Sequence, residues 1–204
     1  TGTVKSDLCG EFSMMIAIDC ADITRLGSFA EAFLSHKNTV CIDHHISNTR
    51  FAKINYVFDN ASNCENIFDL INQMEIAIDE EIANLLMLGI VTDTNCFKNK
   101  NVNENTLKVA SVLKGFGADI NKIHYYMFTM QSKERAKLFA KTMAKIRYFH
   151  DGKVAMATVM LADFDETGAE QSETQGFIDF LLGIVGVEIA VTIMEYAPNK
   201  FKIS

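Results

Sequence analysis

Thr39-Val40-Cys41-Ile42-Asp43-His44-His45 decides the fold: an apolar run of strand length stops in a carboxylate and two imidazoles. Short apolar runs bounded by polar residues read as strands buried on both faces, the pattern of a parallel sheet covered by helices. In open parallel α/β sheets, ligands bind outside the carboxyl ends of the strands, so a strand ending in ligating side chains marks a site as well as a fold. Upstream, Ser13-Met14-Met15-Ile16-Ala17-Ile18 repeats the pattern and ends in Asp19, followed by Cys20-Ala21-Asp22. Downstream, the apolar stretch from Ile82 to Val91 runs into Thr92-Asp93-Thr94. Asp19, His44, His45 and Asp93 offer oxygen and nitrogen donors suited to manganese, magnesium or zinc. Without cysteine pairing, that set favours a catalytic hydrolytic centre over a structural one. Asp22 reads as a cap of the turn that follows it.

Periodicity and breakers organise the rest. Phe29 to Leu34 reads as a helix between the first two strands, giving a βαβ-like unit with a short crossover. Ser62 and Glu65 match the S-x-x-E capping box, and Ile67, Phe68 and Ile71 follow at helical spacing. Asp79 to Leu88 and Glu104 to Lys114 read as further helices, the second ended by Gly115 and Gly117. A connecting helix begins at Asp119 to Ile123, and Gln131 to Arg147 reads as a longer one. Its Lys133, Lys137, Lys141 and Lys145 recur every four residues as a basic stripe, opposite the apolar Leu138, Phe139, Met143 and Ile146. This stripe reads as a solvated helix face rather than the wall of a substrate cleft. His150-Asp151-Gly152-Lys153 reads as a hairpin turn into the strand Val154 to Val159. Ala197-Pro198-Asn199-Lys200 reads as another turn, between Val187–Tyr196 and Phe201–Ile203. The acidic stretch Asp163 to Glu173 reads as a loop with a helix start and has no catalytic assignment.

Composition excludes several classes. With 204 residues and 49% hydrophobic content, the chain can bury one or two cores. No apolar run reaches the length of a membrane span; no charged-then-apolar leader opens these residues, which leaves a leader upstream open. The five cysteines, Cys9, Cys20, Cys41, Cys64 and Cys96, are odd in number and form no C-x-x-C, which fits reduced thiols in a cytoplasmic protein. A formal net charge of −7 argues against nonspecific binding of long nucleic acids, which needs a broad basic surface; short nucleotides make no such demand. No Gly-x-Ser-x-Gly elbow and no Walker-type phosphate loop occurs.

Three segments in order carry a family resemblance: Ile18-Asp19-Cys20-Ala21-Asp22-Ile23-Thr24-Arg25-Leu26-Gly27, Ile42-Asp43-His44-His45-Ile46-Ser47-Asn48 and Gly89-Ile90-Val91-Thr92-Asp93-Thr94. They resemble three of the four motifs of the DHH phosphoesterases, and within that superfamily the bacterial oligoribonuclease/pAp-phosphatase group. The resemblance extends to Gly183 through Val191, which is similar to the accessory DHHA1 domain. It implies an α/β fold in which residues 1–118 form a parallel-sheet DHH domain, 119–147 a helical connector and 148–204 a smaller α/β DHHA1 domain that binds substrate.

The resemblance also implies a division of labour. Asp19 would bridge two divalent ions, typically manganese, and His44 and Asp93 would ligate the second. His45 would face the substrate phosphate, and Asp43 would support the site by orienting an imidazole or a loop amide. Substrates would be short oligoribonucleotides or 3'-phosphoadenosine 5'-phosphate, with no membrane partner; the oligomeric state stays open, a homodimer among the options. The superfamily leaves open an exopolyphosphatase or pyrophosphatase-like enzyme, a cyclic-dinucleotide phosphodiesterase, or a noncatalytic regulatory module.

The chain also departs from the family pattern. The family's first motif, a His followed shortly by Asp-x-Asp, has no counterpart before Asp19, where Asp7 and Glu11 are the upstream acids. After Tyr196 to Ser204 the family continues into an Arg-Ser segment and a Gly-Gly-Gly-His stretch. The expectation is a piece of a longer protein, incomplete at both ends, that by itself binds metal weakly and turns over poorly. The family usually has a threonine before Glu65, where Cys64 stands, so Ser62 reads as a helix cap rather than a substrate contact.

Overall fold

The structure is a computed structural model that describes residues 12–204, so Asp7, Cys9 and Glu11 lie outside the described residues. The chain divides into two compact units, Thr1–Thr129 and Met130–Ser204. Residues of the expected connector fall on both sides of that division.

The first unit is built on a three-stranded parallel sheet in the order β1-β2-β3, with β1 at Met15–Ile18, β2 at Thr39–Asp43 and β3 at Ile54–Val57. β2 is central, and every residue but Val40 is buried, which explains its near-continuous apolar run. β3 was not expected; it is short and carries the polar Asn55 in its middle. A 3-10 turn, Ile23–Phe29, and helix α1, Ala30–Ser35, make the crossover from β1 to β2. Phe33 of α1 packs with Ala17, Cys41 and Ala52 against the sheet.

Four helices follow: α2 (Asn63–Gln73), α3 (Glu80–Asp93), α4 (Glu104–Gly115) and α5 (Ile120–His124). Both halves of the Ser62–Glu65 capping box are present, and Asp79 and Asn103 cap α3 and α4 through their side chains. Ala83, Leu86, Met87 and Ile90 of α3 are buried against Phe68, Val109 and Leu113, so this helix forms the spine of the larger core. Helix α3 passes close to α2 at Gly89, where an added Cβ would lie 2.2 Å from Cys64 Sγ and 3.3 Å from its Cβ. Beyond α3 the chain turns through Asn95, Cys96 and Phe97, all left-handed with φ of 48°, 55° and 62°.

The second unit carries a four-stranded sheet in the order β4-β5-β6-β7, with β4 at Arg147–Phe149, β5 at Val154–Val159, β6 at Ile189–Ala197 and β7 at Lys200–Ile203. The β5–β6 pair is parallel and the outer pairs are antiparallel. Both expected hairpins form, the first through left-handed His150, Asp151 and Gly152. On β5, Ala155, Ala157 and Val159 are buried while the alternate residues are half-buried, so helices cover one face. These are α6 (Lys133–Met143), α7 (Leu161–Thr167) and α8 (Phe177–Leu182).

Two expectations are corrected here. The helix expected over 131–147 stops at Met143, because Arg147 pairs with Met156 in the sheet instead of continuing the helix. The acidic stretch, expected as a loop with a helix start, is more ordered than that: it runs through helix α7 and a 3-10 turn, Gln171–Thr174. Asp163, 3% exposed, accepts from Lys145 Nζ at 2.6 Å and lies 3.1 Å from Lys141 Nζ, while Lys141 also pairs with Glu166. Half of the basic stripe is thereby committed to holding α7 on α6. Burial pushes the Asp163 carboxyl up, but the Lys145, Met160 N–H and Lys141 bonds outweigh it and hold the group at about 2. Among the described residues, no helix is long and apolar enough to cross a membrane.

Two measurements test this packing. Helix propensity alone would make Gly89→Ala stabilising by about 1 kcal/mol. The overlap with Cys64 reverses the sign, so a net loss of about 1–2 kcal/mol in chemical denaturation is expected, and adding Cys64→Ala should recover most of it. For Asp163, the folded pKa of about 2 lies below the ordinary 3.8, so its stabilisation is complete above the higher value and is lost as pH falls through the lower. The lost amount is about 2 kcal/mol. Unfolding free energies measured down to about pH 2 should show that acid limb in the parent and a flatter one in Asp163→Asn.

Candidate metal centre

Strand register gathers the site. Ile18 pairs with Ile42 and Asp43 with Val57, so the three strands end side by side. Backbone bonds continue the row one residue further, from Asp19 N to Ile42 O at 3.0 Å and from Phe58 N to Asp43 O at 3.2 Å. Asp19 leaves the strand with φ of 60°, a left-handed conformation that costs energy for any residue with a Cβ.

His44 Nδ1 donates to Asn60 O at 3.0 Å, and its Nε2 stands 3.4 Å from Asp19 Oδ1. An imidazole nitrogen and a carboxylate oxygen facing each other at this distance can share a proton or a cation. His45 turns its Nδ1 to the fully buried Asp43, 2.8 Å from Oδ1, and that nitrogen stands 4.0 Å from Asp19. Its Nε2 is not engaged by Asp43. The other Asp43 oxygen accepts from Asn48 Nδ2 at 2.5 Å. Burial pushes the Asp43 carboxyl up, yet the bonds from Asn48, His45 and the His44 amide bring it below its ordinary value, so it stays ionised under His45.

Donor atoms of Asp19, His44 and His45 all lie within 4.8 Å of one another. That oxygen–nitrogen set, with one imidazole fixed by a backbone carbonyl, fits a borderline divalent ion. Asp93 stands outside this trio. It is the last residue of α3, not a strand end, and its Oδ2 accepts from Ser62 Oγ at 2.6 Å. Asp22 caps the 3-10 turn and takes no part in the trio.

Asparagines hold the supports in place. Asn63 Nδ2 donates to Ile42 O and Asn66 Nδ2 to Asp43 O, pinning the end of β2 to the start of α2. Asn60 in turn donates to Asn66. The sequence offered one signal for them, the density of asparagine around the capping box between Asn60 and Asn66. The thiols nearby are held in their protonated form. Burial pushes Cys64 up to about 11, helped by the charges of Asp93, Asp19 and Glu65, and burial raises Cys20 and Cys41 as well. One thiol thus feels both Asp93 and Asp19. Cys20, Cys41, Cys64 and Cys96 are all free.

Comparison with known proteins gives a consistent result. The family described as "DHH family, N-terminal domain" matches residues 3–90. The chain is 25% identical over 179 residues to the bifunctional oligoribonuclease and PAP phosphatase NrnA of Thermus thermophilus, covering 87% of this chain and 52% of that protein. It is 26% identical to a probable bifunctional oligoribonuclease and PAP phosphatase NrnA of Streptococcus mutans, over 97% of this chain and 63% of that one. The crystal structure of an exopolyphosphatase-related protein from Bacteroides fragilis superposes with a TM-score of 0.85 at 21% identity, over 95% of this chain and 58% of that chain, a likeness of fold. The resemblance to the DHH phosphoesterases and the α/β fold read from the motifs are borne out. The chain spans about half the length of its Thermus relative.

The left-handed Asp19 gives a test that separates fold from chemistry. In the absence of divalent ions, Asp19→Gly should be about 1 kcal/mol more stable than Asp19→Ala, because glycine alone adopts that conformation without strain. Equal stabilities measured by thermal denaturation would count against backbone strain at this position.

Proposed function

We propose that this protein is a divalent-metal-dependent phosphoesterase, with manganese as its working ion, that hydrolyses short oligoribonucleotides and 3'-phosphoadenosine 5'-phosphate. The observation that carries the reading is the cluster of Asp19, His44 and His45 at the carboxyl edge of a parallel sheet, with donor atoms all within 4.8 Å of one another. Asp19, His44 and Asp93 are the proposed ligands. Bound divalent ions supply an activated water and neutralise charge on the phosphoryl oxygens.

The chain's own groups do the rest. Asn60 fixes the proton of His44 on Nδ1 and so aims Nε2 at the Asp19 carboxylate. Asp43 and His45 form a dyad in which a buried carboxylate holds Nδ1 and leaves Nε2 for a phosphate oxygen of the substrate. The names of the bacterial relatives support the substrate class, and the net charge of −7 agrees with short rather than long nucleic acids. Residues 148–204 are assigned to substrate binding as part of the same proposal.

Hydrolysis by the full-length protein, assayed with Mn2+ on dinucleotide RNA, 3'-phosphoadenosine 5'-phosphate, cyclic dinucleotides and polyphosphate side by side, tests this reading. Cleavage of the first two, abolished by chelator, is expected. Activity that survives chelation, or survives in folded Asp19→Ala and Asp93→Ala, overturns it. His44→Ala should weaken Mn2+ binding by more than roughly tenfold, whereas His45→Ala should keep metal and lower turnover by about 10²–10⁴. Equal metal loss from both would reverse their assigned roles.

A further inference from the structure

We propose that Ser62 is a positioning residue for Asp93: its buried hydroxyl fixes one carboxylate oxygen and thereby presents the other to a divalent ion. The inference rests on the reading of Asp93 as a ligand given above.

Ser62 is 0% exposed, and its hydroxyl is used twice. It donates its single hydrogen to Asp93 Oδ2 at 2.6 Å and accepts from Cys64 N at 3.2 Å. With a backbone amide on one side and a carboxylate on the other, the hydroxyl has no freedom to turn away. The backbone beneath it is held as firmly. Ser62 N donates to Glu65 Oε1 at 3.2 Å, and Glu65, itself fully buried, accepts from Thr106 Oγ1 at 3.1 Å and Asn105 Nδ2 at 3.0 Å. A chain of bonds therefore runs from α4 through Glu65 and Ser62 to the last residue of α3.

The reach from α2 to α3 depends on Gly89, one helical turn before Asp93 and on the same face. A side chain there would strike Cys64 and come within 3.8 Å of Ser62 Oγ. Asp93 also needs such a partner. It sits at a helix carboxyl end, where the helix dipole disfavours negative charge. A hydroxyl donor offsets part of that repulsion and a cation would offset more. Asn99 Nδ2 holds the Asp93 backbone carbonyl at 3.0 Å, so the residue is fixed by its main chain as well as by one carboxylate oxygen.

The test is calorimetric titration of Mn2+ alone into the full-length protein carrying Ser62→Ala, Ser62→Thr, Asp93→Ala or Asp119→Ala. The last removes a helix cap on α5, outside the chain of bonds that ends at Asp93, and so controls for loss of stability. Ser62→Ala should weaken Mn2+ binding about tenfold, while Ser62→Thr, which keeps the hydroxyl, should stay within about threefold of the parent. Asp119→Ala should match the parent. Unchanged affinity in folded Ser62→Ala, an equal loss in Asp119→Ala, or a loss in Ser62→Thr as large as in Ser62→Ala overturns the proposal for Ser62. Parent affinity in Asp93→Ala, or no saturable Mn2+ binding by the parent, instead overturns the ligand assignment on which it rests.

Discussion

The parallel register of β2 between β1 and β3 is the constraint on which the rest depends. Because Ile42 faces Ile18 and Asp43 faces Val57, three strands finish level and their first non-strand residues share one edge. A slip of one residue in either pairing would turn the side chains of the slipped strand to the opposite face. Asp19 and His44 would then no longer converge, whatever their identities. The buried apolar content of β2 therefore sets the site's geometry as well as the core.

Around that edge the protein spends polar groups where a simpler core would use apolar ones. Asp43, Ser62, Asn63, Glu65 and Asn66 are all buried, and each has a hydrogen-bond partner. Buried polar groups left without partners cost about 1–3 kcal/mol each, so such a network is tolerated only when complete. Its completeness gives the imidazoles fixed orientations: His44 is held by a backbone carbonyl and His45 by a carboxylate.

Much of this was legible in the sequence, for physical reasons that differ by element. β2 and β5 announced themselves because burial leaves strong hydrophobic signatures, and the α2 cap because its chemistry is local to four residues. The two hairpins followed from turn residues able to adopt left-handed backbone. β3 escaped because a four-residue strand with a central asparagine has too weak a pattern. The acidic stretch shows a helix start in sequence but not the extent of α7, because the charges that neutralise Asp163 come from Lys141 and Lys145, distant in sequence. Ser62 was read correctly as a cap, but its second bond, to Asp93, depends on the approach of α2 to α3 and leaves no trace in local pattern.

The donors of the candidate trio, Asp19, His44 and His45, lie on one side of the division between Thr129 and Met130. A ligand held there stabilises by mass action, as RT ln(1 + [L]/Kd), only the folded state that contains its donors. The free concentration of such an ion would then bear on the folding of the first unit, whereas the Asp163 pairs of the second answer to the concentration of protons.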